Sequence, residues 1–368
     1  FFKKIYVGAK MEAKIRYLKP EEKEKARTLW SQAFFEDSEE FDQYYFTEKI
    51  KENQILVKED HGTIISMVHL NPYQIHMREH CRQIDYIVGV ATDRERRHQG
   101  HMRDLLCRML QDGWTRKEPF TFLMPADRAI YEPFDFRFIF DKPQNQRKTA
   151  EGAGWNAVWK TALELAEQDG ELETIADFME KWLSKRFQVY TVRDRAYVKN
   201  LMTELASEDG QIGLYCEDGQ LKGIEAVWGL EEKEQRLLYF PDEWMETAAP
   251  PKPAIMGRIV NVQEFLQLFS LKSGREQEIE GILEVTDPLI SQNNGLWSWN
   301  LTQNGSKCQK IQKNSAKSKQ KIVCSVEQLI RWLMGYEEPE KIFAGENHLP
   351  DWHSQIRIFQ GVFLDEEV

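Results

Sequence analysis

The segment VGVATDRERRHQGHMRDLLCRML, residues 88–110, decides how the rest of the chain is read. It opens as a strand in which Val88 and Val90 alternate around Gly89. An arginine-rich turn follows, with a single glycine at Gly100. From there Met102, Leu105, Leu106, Met109 and Leu110 recur at helical spacing, with Arg103, Asp104, Arg108 and Gln111 on the opposite side. A basic, glycine-containing loop between a strand end and a helix start makes an anion cradle. The free N–H groups of the first helical turn, the helix dipole and the arginines all favour a phosphate.

Working outward, residues 21–35 place Ala26, Leu29, Trp30, Ala33 and Phe34 on one helical face. Residues 54–77 read as two antiparallel strands turned at Asp60 and Gly62. CRQIDYIVGVAT reads as a third strand, another spans FTFLMPA (120–126), and AIYEPFDFRFIF (129–140) reads as a helical turn and a strand. This order of elements predicts an α/β layer arrangement. The polar run 141–155 reads as a boundary. Two helices (174–187 and 192–207) and a hairpin turned at Asp218-Gly219 come next, like the first domain's opening but with no glycine–arginine loop. That pattern suggests an internal duplication. AAPPKPAIM (248–256) reads as a proline-rich connector, followed by segregated strands and helices of an α+β unit. The expected domains are 1–145, 146–253 and 254–368.

A chain of 368 residues suits two or three domains, and 41% hydrophobic with 12% aromatic residues suits folded ones. A net charge of −11 argues against a general nucleic-acid binder and suits a cationic small substrate. The lysine-rich stretch 306–321 lacks aromatic interleaving and reads as a solvated loop. Five scattered cysteines without a C-x-x-C pair point to reduced thiols and a cytoplasmic protein. No apolar run approaches the roughly 18–20 residues of a membrane span. FFKKIYVGAK reads as an extension ahead of a natural start at Met11. The eight histidines show no metal-ligand spacing, so no metal is expected. A nucleotide-hydrolase P-loop and a dinucleotide G-x-G-x-x-G are both missing.

What remains, Arg97-His98-Gln99-Gly100-His101-Met102, resembles the acetyl-CoA motif [QR]-x-x-G-x-[GA] of the GCN5-related N-acetyltransferase (GNAT) superfamily, with Met102 in place of the last small residue. The three-part layout resembles the enhanced intracellular survival family within it. There, a second, degenerate acetyltransferase domain and a sterol-carrier-like domain follow the first. IVNVQEFL, EGILEVTDPLI and SVEQLIRWLMGY resemble segments of that last domain.

The resemblance implies direct attack of an amine on acetyl-CoA, the cosubstrate. Val88, Gly89 and Val90 would lie along the pantetheine arm, and Arg96, Arg97, His98, Gln99, Gly100, His101 and Met102 around the pyrophosphate. Tyr131, in an I-Y-x-x-F-G-[FY]-like stretch where Asp135 replaces the glycine, would protonate the departing thiolate. The α-carboxylate of Val368, at the end of a returning tail, would act as the base. Phe34, Glu36 and Asp37 would face a polyamine-like or aminoglycoside-like amine. A homo-oligomer, a hexamer, is expected on the same ground. The competing reading is a catalytically silent acyl-CoA- or lipid-binding protein that uses the sterol-carrier-like domain.

Overall fold

A computed structural model describes residues 13–148, 156–274, 277–312, 320–345 and 349–367. The first domain runs β1 (Lys14–Tyr17), α1 (Arg27–Ala33), α2 (Glu39–Thr47), β2 (Gln54–Asp60), β3 (Thr63–Met77), β4 (His80–Thr92), α3 (His101–Thr115), β5 (Phe120–Leu123), α4 (Arg128–Tyr131) and β6 (Arg137–Arg147). Strands β1 to β4 are antiparallel neighbours in order, and β5 joins β4 in parallel. Alternation assigns the two faces of the sheet. Ile55, Val57 and Met67 pack beneath Trp30, Tyr45 and Phe46 of α1 and α2. Leu56, Val68 and Leu70 meet Leu105, Leu106 and Met109 of α3 on the other side. A sheet covered on both faces needs near-continuous apolar strands, as β2 and β3 have.

The second region contains β7 (Asn156–Thr161), α5 (Ala162–Ala166), α6 (Asp169–Ser184), β8 (Val189–Thr191), α7 (Arg195–Ser207), β9 (Gln211–Glu217), β10 (Gln220–Trp228) and β11 (Glu234–Tyr239). Its sheet runs β11-β10-β9-β7, while β8 leaves it to pair with the far end of β3.

Residues 248–256 are not a connector. They belong to a fifteen-residue strand, β12 (Met245–Ile259), that lies between β5 and β6 in the first sheet. Pro250, Pro251 and Pro253 fall where β12 pairs with β6 alone and its register slips repeatedly. Proline is tolerated there, because an open edge or a bulge needs no ladder N–H. The polar run after 140 is likewise strand as far as Arg147. The boundaries drawn at 145/146 and 253/254 therefore cut through β6 and β12, a ribbon that continues the first sheet.

The third domain follows with α8 (Val262–Leu266), β13 (Ser270–Leu271), β14 (Glu278–Thr286), β15 (Gly295–Thr302), β16 (Gly305–Ile311), β17 (Ile322–Ser325), α9 (Val326–Leu333), α10 (Pro339–Ile342), β18 (Ile356–Arg357) and β19 (Val362–Phe363). Its four-stranded sheet, β16-β15-β14-β17, belongs to a domain in which Trp297, Trp299 and Trp332 are buried. Helix α9 lies close on β12: a Cβ on Gly257 would stand 3.1 Å from Ile330 Cδ1 and 2.6 Å from Ile139 Cδ1. The chain then leaves this domain, and β19 pairs in parallel with β8. The fold is thus mixed α/β and α+β, with an α/β first region, a second region of helices on a four-stranded antiparallel sheet, and an α+β third. No helix among the described residues is long and apolar enough to cross a membrane.

Candidate active site

Strands β4 and β5 pair only at Tyr86–Phe122 and Ile87–Leu123. Beyond that point β5 stops while β4 runs on to Thr92, so the two diverge and leave a strand edge open to a cleft of about 740 Å3. A bulge sharpens the split. On the β3 side, Met67 faces Ala91 but His69 faces Val88, so β4 carries one extra residue. Gly89 sits there with φ +59°, and a Cβ would stand 2.5 Å from Trp30 Cζ3. Only glycine fits, and the bulge turns β4 away from its neighbour.

The loop after β4 forms one lip of the cleft. Asp93 caps its first turn by accepting from Glu95 N at 2.9 Å, and Arg97 Nε donates to Thr92 O at 3.2 Å. Gly100, φ +82°, is the N-cap of α3, and among the described residues no side chain caps this helix end. The first-turn N–H groups are therefore free to meet an anion. Arg96, Arg97, His98, Gly100, His101 and Met102 line the cleft together with Val88, Gly89 and Val90. Gln99 is not among the lining residues; its side-chain amide donates to Glu95 O at 3.4 Å. Burial, and secondarily Lys58, push the His101 imidazole towards its neutral form. Neither of its ring nitrogens has a hydrogen-bond partner among the described residues.

The turn after β5 forms the other lip. Tyr131 ends the short α4, whose start is capped by Asp127 accepting from Ala129 N at 2.9 Å. Its side chain is 8% exposed and lines the cleft, and burial pushes the phenol up to about 12. It is protonated at any physiological pH. Asp135 holds φ +61°, a left-handed conformation that aspartate tolerates better than most residues. The turn therefore keeps the shape that the usual glycine would give.

The returning tail is docked from Val362 to Glu367. Glu366 and Asp365 are buried on the Arg193 guanidinium at 2.7 and 2.5 Å, and Tyr197 donates to Glu366 at 2.8 Å. Glu367 pairs with Lys142. The Tyr86 hydroxyl donates to Glu366 O at 3.1 Å, and Tyr86 itself lines the cleft. Val368 lies outside the described residues.

Of the three residues expected to face an amine, Phe34 lines the cleft. Glu36 and Asp37 do not; Asp37 instead accepts from the Trp30 indole at 3.0 Å. Tyr86, Met124 and Pro125 also line the cleft, and the sequence reading does not single them out; Ile130, the first residue of the stretch that carries Tyr131, lines it as well. The Met124-Pro125 pair closing FTFLMPA was the available signal, since proline there ends pairing with β4.

Residues 14–139 match the family model of the acetyltransferase (GNAT) domain, and residues 262–346 that of the sterol carrier protein domain. Among solved structures, a conserved protein of unknown function from Enterococcus faecalis V583, described as a probable N-acyltransferase, is 16% identical with TM-score 0.78, covering 97% of this chain and 100% of that one. A GCN5-related N-acetyltransferase from Anabaena variabilis is 14% identical with TM-score 0.70, covering 96% and 99%. Eis1 from Mycobacterium abscessus is 12% identical with TM-score 0.68, covering 97% and 100%. No functionally curated protein matches the sequence significantly. At these identities the structures share the fold with this chain, and the matched domains carry the assignment. The chain is an acetyltransferase, with a GNAT domain in residues 14–139 and a sterol-carrier-protein domain in residues 262–346.

Proposed function

We propose that the chain transfers acetyl from acetyl-CoA to a primary amine of a small cationic acceptor, polyamine-like or aminoglycoside-like. The observation that carries this reading is the split between β4 and β5, flanked by a basic helix N-terminus on one lip and Tyr131 on the other. The open edge of β4 offers backbone groups to the pantetheine amides, and the α3 N-terminus with Arg96 and Arg97 suits the pyrophosphate. Holding both reactants in one cleft supplies the orientation that direct attack needs.

Tyr131 donates to the departing sulfur. With its phenol near 12 and an ordinary thiol near 8.5, full transfer is uphill, so the hydrogen bond to the developing thiolate is its main contribution. A carboxylate carried by the tail, whose docked part reaches Tyr86 at the cleft wall, takes the proton of the attacking amine. Phe34 supplies an aromatic face for a cation, and the acidic chain favours its approach. Five unbridged cysteines suit a reducing cytoplasm. The exposed Val158, Trp159 and Leu163 suit self-association, for which a hexamer is the expected form.

The test is calorimetric. Gly100→Glu puts a side chain on a left-handed residue and a negative charge beside the pyrophosphate site, so acetyl-CoA affinity should fall at least tenfold in a folded variant. Unchanged affinity would remove the loop from the site.

A further inference from the structure

The turn that carries Tyr131 is held at three alternate carbonyls by two arginines. Arg137 Nη1 donates to Glu132 O at 3.0 Å and to Phe136 O at 2.8 Å. Arg258 Nε donates to Phe134 O at 2.7 Å. Each arginine turns its other side to a carboxylate of the third domain. Arg137 Nε lies 2.8 Å from Glu327 of α9, and Arg258 Nη2 lies 2.6 Å from Asp287, just after β14.

The Arg258–Asp287 pair is fully buried, and its remaining polar groups are satisfied. Asp287 accepts from Leu289 N and Ile290 N, both at 2.9 Å, and from Asn293 Nδ2 at 2.8 Å. Arg258 Nη1 reaches Ile259 O at 2.6 Å. Asn293 ties the network to the residue just after β12 by donating to Val260 O at 2.9 Å. Well-packed apolar residues of the same volume would stabilise such a junction as well or better. What an apolar core would not do is fix carbonyls 132, 134 and 136 in direction. A hydrogen-bonded guanidinium does so because its planar fork has a fixed geometry.

We propose that the sterol-carrier domain serves catalysis as the frame for the donor turn, with Arg258 and Arg137 as positioning residues that relay Asp287 and Glu327 to Tyr131. This rests on the reading of Tyr131 as the group that donates to the departing sulfur. A phenol displaced by about an ångström loses alignment with the sulfur, whereas the cofactor cradle on the other lip is untouched. The frame therefore governs kcat and not cofactor affinity.

The experiment is a double-mutant cycle on the full chain. It uses Asp287→Asn, Tyr131→Phe and the pair, with acetyl-CoA as donor and whichever of spermine or kanamycin the wild type acetylates. Asp287→Asn should lower kcat about 10- to 100-fold, the range expected of a small misplacement. Calorimetric acetyl-CoA affinity should stay within twofold. In the Tyr131→Phe background the same change should cost nothing further, because the group being positioned has gone. If Asp287→Asn does not fold, Glu327→Gln at the half-buried pair replaces it, with the same pattern expected at smaller size. Wild-type kcat in both frame variants, or losses that multiply with Tyr131→Phe, would overturn the frame while leaving Tyr131 in its role. Full turnover by Tyr131→Phe alone would overturn the Tyr131 reading, and a slow Asp287→Asn beside it would show that the frame acts on another group.

Discussion

Replacing Gly89 by alanine adds one methyl group at the point where β4 bulges away from β5. Two costs can be worked out separately. A non-glycine residue held at φ +59° pays about 1–2 kcal/mol. The new Cβ would also stand 2.5 Å from Trp30 Cζ3 and 3.1 Å from His69 Cγ, so the indole must move. It has little room, since it stacks on Tyr45 at 4.1 Å, meets Phe46 at 5.7 Å and is held by Asp37. Overpacking of this kind costs about 1–3 kcal/mol. Together roughly 2–5 kcal/mol should be lost, a drop of about 5–15 °C in the melting of the first domain. Thermal scans with and without acetyl-CoA measure both consequences, because flattening the bulge also removes the open edge of β4. The ligand-induced rise in melting temperature should therefore shrink along with the baseline. Adding Trp30→Leu makes space and should return part of the steric share, but not the backbone share. A Gly89→Ala protein that melts within 1 °C of wild type, with the same acetyl-CoA shift, would refute the bulge as the element that opens the cleft.

The remaining predictions concern charge. Burial and the neighbouring Asp85 push the Glu118 carboxyl up to about 8, against the pull of Arg116, which bridges the two at 3.2 and 2.8 Å. The folded chain thus holds an extra proton between about pH 4.5 and 8, so stability should fall as pH rises through that window, by at most about 1.4 kcal/mol per unit. Glu118→Gln should remove that slope and be relatively more stable at pH 9 than at pH 4 in thermal melts; parallel curves would refute the assignment. Residues added after Val368 should slow amine-dependent acetylation without lowering the melting temperature, and an equal rate would return the base to another group. Extension is a cleaner probe than truncation after Leu364. Truncation strands the buried Arg193 and Arg236, and an unpaired buried charge costs about 3–5 kcal/mol by itself.

Local chemistry made part of this legible. The arginine loop, Gly100 and the apolar stripe of α3 lie within a few residues of one another, so spacing alone assembles the cradle. Tyr131 was reachable only through its resemblance, because a lone tyrosine carries no spacing signal. Long-range partners stayed hidden. Strand β12 looked like a connector because its prolines were read without β6, whose single-sided pairing makes them harmless. The meaning of Gly89 depends on Trp30, nearly sixty residues earlier, and that of Arg258 on Phe134 and Asp287. Glu36 and Asp37 were placed by charge and sequence position, but Asp37 is drawn off to the Trp30 indole within the α1–α2 turn.

The central claim is that this cleft passes acetyl from acetyl-CoA to an amine, and thiol release measures it directly. Wild-type protein is incubated with acetyl-CoA and, in turn, with a panel of polyamines and aminoglycosides, beside Gly100→Glu and Tyr131→Phe. The account predicts amine-dependent CoA release by the wild type, loss of apparent acetyl-CoA affinity in Gly100→Glu, and a turnover about 10²–10³ slower in Tyr131→Phe with affinity kept. Release that no amine stimulates, despite tight acetyl-CoA binding, would contradict it and make the chain an acyl-CoA-binding protein instead.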